Sequence, residues 1–318
     1  MQTDEMITFE KVSFTYEMAD QDKRAGGSLH NVSIKIRKGE AVLLTGPSGC
    51  GKTTMLRLVN GLIPKYYPGT IDGEITVAGE SVQGKELFDT AKLCGMVFQN
   101  PRSQFFNVDT TSELAFGCEN QGVPAEEIDR RIEASVSSFG LQELVGRSIF
   151  KLSGGEKQQI ACASVDVLGS GIILLDEPSA NLDYDAMEKL KGILAAWKRA
   201  GKTILIAEHR IAYLWGLIDR AVIMREGEIM EELRGDRLSQ ITDDELLSMG
   251  LRSKRRERPE EIDLPQIERD DGRIVLTDFA FSYKRGMFEK KESHRVLDIK
   301  QLELADGKIT AVVGNNGS

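Results

Sequence analysis

AVLLTGPSGCGKTT, residues 41–54, runs from an apolar strand pattern through a glycine-rich loop into a helical pattern. The stretch Gly46-Pro47-Ser48-Gly49-Cys50-Gly51-Lys52-Thr53 fits the phosphate-binding spacing G-x-x-x-x-G-K-[ST], and Thr54 carries it into the helix. Glycines are needed because the backbone must approach phosphate closely and take φ values that a Cβ forbids. The N–H groups of such a loop, with the N-terminus of the following helix, attract phosphate oxygens. Lys52 is expected to reach the β- and γ-phosphates of a nucleotide, and the Thr53 hydroxyl to complete a Mg²⁺ shell. After the loop, Met55, Leu56, Val59 and Leu62 form one apolar helical face.

A second stretch agrees with this reading. GIILLDEPSANLD, residues 171–183, opens on an apolar run expected to be a buried parallel strand. It delivers Asp176 and Glu177 to the carboxyl end of a sheet, where ligands bind in open α/β folds. Asp176 is suited to hold Mg²⁺ through water and Glu177 to polarise an attacking water. A third stretch, LSGGEKQQIACASVDVL at 152–168, reads from its residues alone as a helix capped by Ser153.

The ordered set GPSGCGKT, FQNP, LSGGE, ILLDEP, SANLD and a later histidine in AEHR closely resembles the nucleotide-binding domain of ABC transporters, over about residues 5–235. That resemblance implies a P-loop NTPase of α/β class. It has a RecA-like, mostly parallel sheet core, an N-terminal antiparallel β subdomain and a helical signature subdomain. Tyr16 resembles the aromatic residue that stacks on adenine, and Gln99 the glutamine that senses Mg²⁺ and the membrane partner. Ser153, Gly154 and Gly155 resemble the signature that contacts the γ-phosphate of ATP bound to an opposite domain. Asp183 resembles the aspartate of the D-loop, and His209 the switch histidine. The implied catalytic residues are Glu177, His209 and Lys52, with ATP and Mg²⁺ as cofactors; Thr53, Gln99 and Asp176 would serve the metal. Gln159 departs from the pattern, since QQ follows LSGGEK where QR is common.

FQNPRSQFF around Gln99, the AEHR context and a tandem arrangement are similar to the ATPases of energy-coupling factor importers of vitamins and transition metals. The partners so implied are an integral membrane coupling subunit, a substrate-capture subunit and a second ATP-binding domain, as a homodimer or in tandem. The implied location is the cytoplasmic face of the cell membrane. Two other readings stand beside this one. One is a soluble ABC ATPase working on ribosomes or DNA; the other is a module that holds ATP without turning it over.

Composition bounds these expectations. The 318 residues carry 50 acidic and 41 basic side chains, a formal charge of -9, which argues against the concentrated basic face of a nucleic-acid binder. Cys50, Cys94, Cys118 and Cys162 are scattered, with no CxxC, so a disulfide framework or cysteine metal site is not expected. MQTDEMITFE lacks the basic and apolar regions of a signal peptide, and GIILL is too short to span a bilayer.

The expected organisation is an ATP-binding domain over 1–250, a charged linker over 251–273 and the N-terminal fragment of a second such domain over 274–318. ELLSMGL, 245–251, is the expected last helix of the first domain. The linker reading rests on its mixed charge and on Pro259 and Pro265. The duplication rests on self-similarity: ITFEKVSFTY (7–16) aligns with IVLTDFAFSY (274–283) at a shift of 267, and KGEAVLLTG (38–46) with DGKITAVVG (306–314) at a shift of 268. Tyr283 then repeats Tyr16, and GNNGS at 314–318 repeats the start of the phosphate loop without its lysine. Truncation and poor packing of 274–318 are the corresponding expectations.

Overall fold

The computed structural model describes residues 4–17, 28–254, 273–281, 297–305 and 310–311. The chain divides into two units, Met1–Glu257 and Arg258–Ser318. The segment 255–272, Tyr283 and the GNNGS stretch lie outside the described residues.

The strands of the first unit are β1 (Glu5–Tyr16), β2 (Leu29–Arg37), β3 (Ala41–Thr45), β4 (Gly69–Val77), β5 (Glu80–Ser81), β6 (Cys94–Val97), β7 (Ile172–Asp176), β8 (Thr203–Ala207), β9 (Arg220–Arg225) and β10 (Glu228–Arg234). Its helices are α1 (Lys52–Val59), α2 (Leu62–Lys65), α3 (Leu87–Leu93), α4 (Thr110–Asn120), α5 (Ala125–Phe139), α6 (Gly154–Val167), α7 (Tyr184–Arg199), α8 (Gly235–Gln240) and α9 (Asp243–Ser248). Strands β2-β1-β4-β5 make an antiparallel sheet, and β10-β9-β3-β8-β7-β6 make a second sheet, parallel except for β10. This is the P-loop architecture expected from the sequence.

The short central strands are almost wholly apolar because both faces are covered. Every residue of β3, β7 and β8 is buried. Alternate side chains enter different cores, as the two-residue strand period requires. Val42, Leu44, Ile172 and Leu174 pack with β1, β2 and α1, whereas Leu43, Ile173 and Leu175 pack with α6 and α7. A third cluster, Leu114, Val136, Leu144, Leu152 and Ile160, holds α4 and α5 against α6 as a helical layer. Arg220, fully buried, ties the two sheets together by donating to the Lys35 carbonyl (2.7 Å), Glu40 (3.0 Å) and Glu232 (3.1 Å). The last helix ends earlier than its apolar pattern, at Ser248. Thr242 and Glu245 form a capping box at its start, and Gly250, at φ 76°, turns the chain out of the helix.

The second unit contains an antiparallel pair, β11 (Arg273–Phe281) with β12 (Leu297–Ala305). Three of its apolar pairs repeat pairs of β1 and β2. Ile7, Phe9 and Phe14 face Ile36, Ile34 and Leu29, and the residues aligned with them, Ile274, Leu276 and Phe281, face Leu304, Leu302 and Leu297. The positive φ at Lys11 recurs at Asp278. Burial does not recur: Ile7 is 0% exposed and Ile274 63%.

Ile7→Ala should therefore destabilise its unit by about 2–5 kcal/mol, while the aligned Ile274→Ala should change stability by under about 0.5 kcal/mol. Urea unfolding of the two variants beside the parent chain measures both.

Candidate active site

The glycine loop bridges β3 and α1 and packs against the end of β9. Gly46 sits at φ 150°, and a Cβ there would lie 2.1 Å from the Met224 carbonyl oxygen. No side chain fits. Helix α1 has no side-chain cap at Gly51, so its first N–H groups and its positive dipole end face the loop. Lys52 is buried and folds back on its own loop, its Nζ donating to the carbonyls of Gly46 and Pro47, both at 3.0 Å. The ammonium is thus held where phosphate oxygens would replace those carbonyls.

Strand order brings the other groups to this loop. Leu44 of β3 and Asp176 of β7 both align with Ala207 of β8, so the three strands end level. Thr53, in the first turn of α1, donates through Oγ1 to Asp176 Oδ1 at 2.9 Å. Burial pushes the Asp176 carboxyl above the ordinary carboxylate range; the Thr53 bond opposes this and the neighbouring Glu177 charge adds to it. A desolvated carboxylate and a hydroxyl at a phosphate loop are the donor set Mg²⁺ takes when phosphates and water complete its shell. The residues present fit that ion. No group of three or more His, Cys, Asp or Glu side chains that could hold a metal occurs among the described residues.

Glu177 follows in a strained backbone conformation, φ 42°, a region that costs a non-glycine residue about 1–3 kcal/mol. Its N–H still donates to the Ala207 carbonyl at 2.8 Å, which fixes the turn. The carboxylate is gripped from two sides: Gln99 Nε2 donates to Oε2 and His209 Nε2 lies on Oε1, each at 3.1 Å. Burial lowers the His209 pKa and the nearby Lys52 charge lowers it further, against the opposing pull of Glu177. Tyr16 completes the cluster, its hydroxyl 3.0 Å from Thr54 Oγ1 and accepting from Arg57 Nη1 at 3.4 Å.

The signature residues stand apart. Among the described residues no hydrogen bond joins Ser153, Gly154 or Gly155 to the Lys52 loop. Ser153 caps α6, accepting from the Glu156 N–H, while Glu156 accepts from the Ser153 N–H at 2.7 Å and from Arg147 at 3.0 Å. Gly155 lets α6 meet α7, since a Cβ would lie 2.6 Å from that of Ala186. Asp183 caps α7 by accepting from the Ala186 N–H at 2.9 Å.

Glu208 is the functional residue that sequence reasoning passed over. Fully buried, it accepts from the N–H groups of Ser179 (3.2 Å), His209 (2.7 Å) and Arg210 (3.0 Å) and from the Tyr213 hydroxyl (3.1 Å). It pins the turn that carries His209 to the loop that follows Glu177. An apolar strand ending on an unexplained acid, TILIAEH, was the available signal. The cysteines take no part in this cluster beyond Cys50, whose Sγ lies 3.6 Å from Lys52 Nζ. All four are buried free thiols, and burial pushes Cys94 up to about 12.

The family model for ABC transporters matches residues 29–180. A curated relative from Treponema denticola that carries the name ABC transporter ATP-binding protein is 39% identical over 315 residues, which is 98% of this chain. The chain spans 62% of that relative's length. Among solved structures, cbiO1 from Clostridium perfringens, described as part of the transporter complex cbiONQ, superposes with a TM-score of 0.64. Its identity is 24%, over 77% of this chain and 94% of its own. The dimeric bacterial ABC transporter cassette MJ0796 gives 0.62 at 27% identity, over 72% of this chain and all of its own.

Because the folded-state pKa of His209 is depressed, the neutral ring contributes stability above about pH 6.5 and loses it as pH falls through the lowered value. Unfolding of the parent chain and of His209→Gln at pH 7.5 and 5.5 should show the parent losing more stability on acidification. Equal losses would contradict the assignment.

Proposed function

The chain carries an ABC transporter ATP-binding domain, and on that premise we propose that it hydrolyses ATP to power an importer of the energy-coupling factor type. The observation that carries this reading is the convergence on the Lys52 loop of Thr53–Asp176 at 2.9 Å with Glu177 held between Gln99 and His209. Every side chain that phosphoryl transfer to water needs is present at one strand edge, which favours turnover over mere binding.

In the mechanism we infer, ATP phosphates displace the Gly46 and Pro47 carbonyls from Lys52, and the free N–H groups of α1 receive them. Tyr16 offers a ring for the base. Thr53, Asp176 and Gln99 would hold Mg²⁺, which would supply neutralisation of phosphate charge. MJ0796 is described as dimeric; in the arrangement we infer, two such domains close head to tail, and the Ser153–Gly155 helix start of one faces the γ-phosphate bound to the other. Asp183 caps α7, the helix that Gly155 meets at Ala186, and would contribute to the same closing face. Closure draws Gln99 and His209 off Glu177, whose carboxylate then orients water in line with the γ-phosphorus and accepts its proton. The bond from phosphorus to the bridging oxygen breaks, and Lys52 and His209 stabilise the charge that develops.

Transport would enter through a groove of about 290 Å³ lined in part by Leu87, Met96, Phe98, Phe106 and Phe116, beside Gln99. Phe106 is largely exposed there, as is nearby Phe88. A membrane coupling subunit seated in this groove at the cytoplasmic face, with a substrate-capture subunit beyond it, would follow each motion of Gln99. No helix among the described residues is long and apolar enough to cross a membrane itself. The cbiO1 likeness and the FQNPRSQFF sequence support the energy-coupling factor subtype. The β11–β12 pair, with three apolar pairs that match those of β1 and β2, supports a tandem second ATP-binding domain.

Glu177→Gln should retain ATP binding and lose turnover by roughly 10²-fold or more, as expected for loss of a general base; equal rates would refute its role. Coexpression with the membrane subunits should yield a complex that Phe106→Glu weakens, read as the fraction of the chain recovered with the membrane.

A further inference from the structure

Apart from the Lys52 loop, a cavity of about 520 Å³ opens between the Gln99–Arg102 segment, the first turns of α6 and the Pro178–Leu182 loop. Arg102 and Lys157 line it, and no carboxylate does. Lys157 is buried, and its ammonium, which has three N–H donors, gives one to the Leu152 carbonyl. Burial holds its pKa below the usual lysine value, and the Arg102 charge lowers it further. Gln158 is only 3% exposed, yet its Nε2 finds no hydrogen-bond partner among the described residues. The positive end of α6, a helix of 14 residues, faces the same space through Gly154.

These features share one missing complement. A buried amide donor without an acceptor is costly, and two cations in one partly desolvated cavity repel each other. An oxyanion would satisfy the Gln158 amide, Arg102 and the remaining Lys157 donors together, with charge-assisted hydrogen bonds. We propose that this cavity is a binding site for a phosphate-type oxyanion, and that its occupant is the inorganic phosphate released by ATP hydrolysis. The second half of the proposal rests on the ATPase reading above. Gln99 connects the two places, since it both lines the cavity and donates to Glu177. Phosphate leaving the Glu177 site would pass Gln99 and pause between Arg102, Lys157 and Gln158.

The test is equilibrium dialysis of radiolabelled inorganic phosphate against the whole chain saturated with Mg·ADP, so that the Lys52 loop is filled. The parent should bind phosphate saturably, and Arg102→Met and Gln158→Leu should each weaken binding roughly tenfold. His209→Ala should leave that binding in place. Arg102 is exposed and its replacement does not threaten the fold; unchanged ADP affinity certifies each variant. No saturable binding, binding indifferent to Arg102→Met and Gln158→Leu, or binding lost only in His209→Ala would overturn the site. ATP turnover in the same preparations separates the two readings. Turnover without the dialysis effect defeats the cavity site alone. Phosphate binding without turnover defeats hydrolysis as the source and leaves a site for phosphate from bulk solution.

Discussion

The hydrogen bond from Thr53 Oγ1 to Asp176 Oδ1 joins two points separated by 123 residues of chain and sets the spacing of the whole site. It can form only because β3 and β7 lie on either side of β8 and end level at Ala207. A shift of one residue in either pairing would also exchange the faces of Ile172–Leu175, sending core side chains into the wrong layer. The alternation of those apolar residues between two cores therefore holds the register, and the register holds the hydroxyl against the carboxylate. Packing energy far from any ligand is what makes the chemistry at the strand edge reproducible.

Around that bond the structure keeps charges in restrained positions. Lys52 is satisfied by its own loop, Asp176 by a hydroxyl, and Glu177 by Gln99 and His209 despite a backbone conformation unfavourable for glutamate. Each of these contacts is replaceable by a nucleotide or by movement of a neighbouring segment. Glu208 is different, with four donors on one buried carboxylate. Those four bonds make this group a fixed anchor for the turn that carries His209.

Much of this was legible in the sequence because the information is local. The glycine spacing at 46–51 states where the backbone must come close, and Gly46 against Met224 shows why no other residue serves. The apolar runs 41–45 and 172–175 state buried parallel strands, and Ser153 states a helix start. What stayed hidden is non-local. Nothing in the order of residues places β3 between β8 and β9, directs Gln99 to Glu177 or turns Lys52 onto the Gly46 carbonyl. The role of Glu208 exists only once Ser179 and Tyr213 fold over it. The cavity beside Gln158 belongs to the same class, since it forms between three segments far apart in the chain. The repeat of β1–β2 in β11–β12 was visible as self-similarity, and the 63% exposure of Ile274 accords with the poor packing expected there, because burial depends on what packs against a strand.

The central claim is that the Lys52 loop and Asp176 form one site, shared by nucleotide phosphate and a divalent cation. Calorimetric titration of ATP into the chain, with and without Mg²⁺, tests it most directly. Mg²⁺ should tighten ATP binding to the parent chain, and Asp176→Asn should remove most of this gain while still binding ATP. Equal binding with and without Mg²⁺, or an unchanged gain in Asp176→Asn, would contradict it.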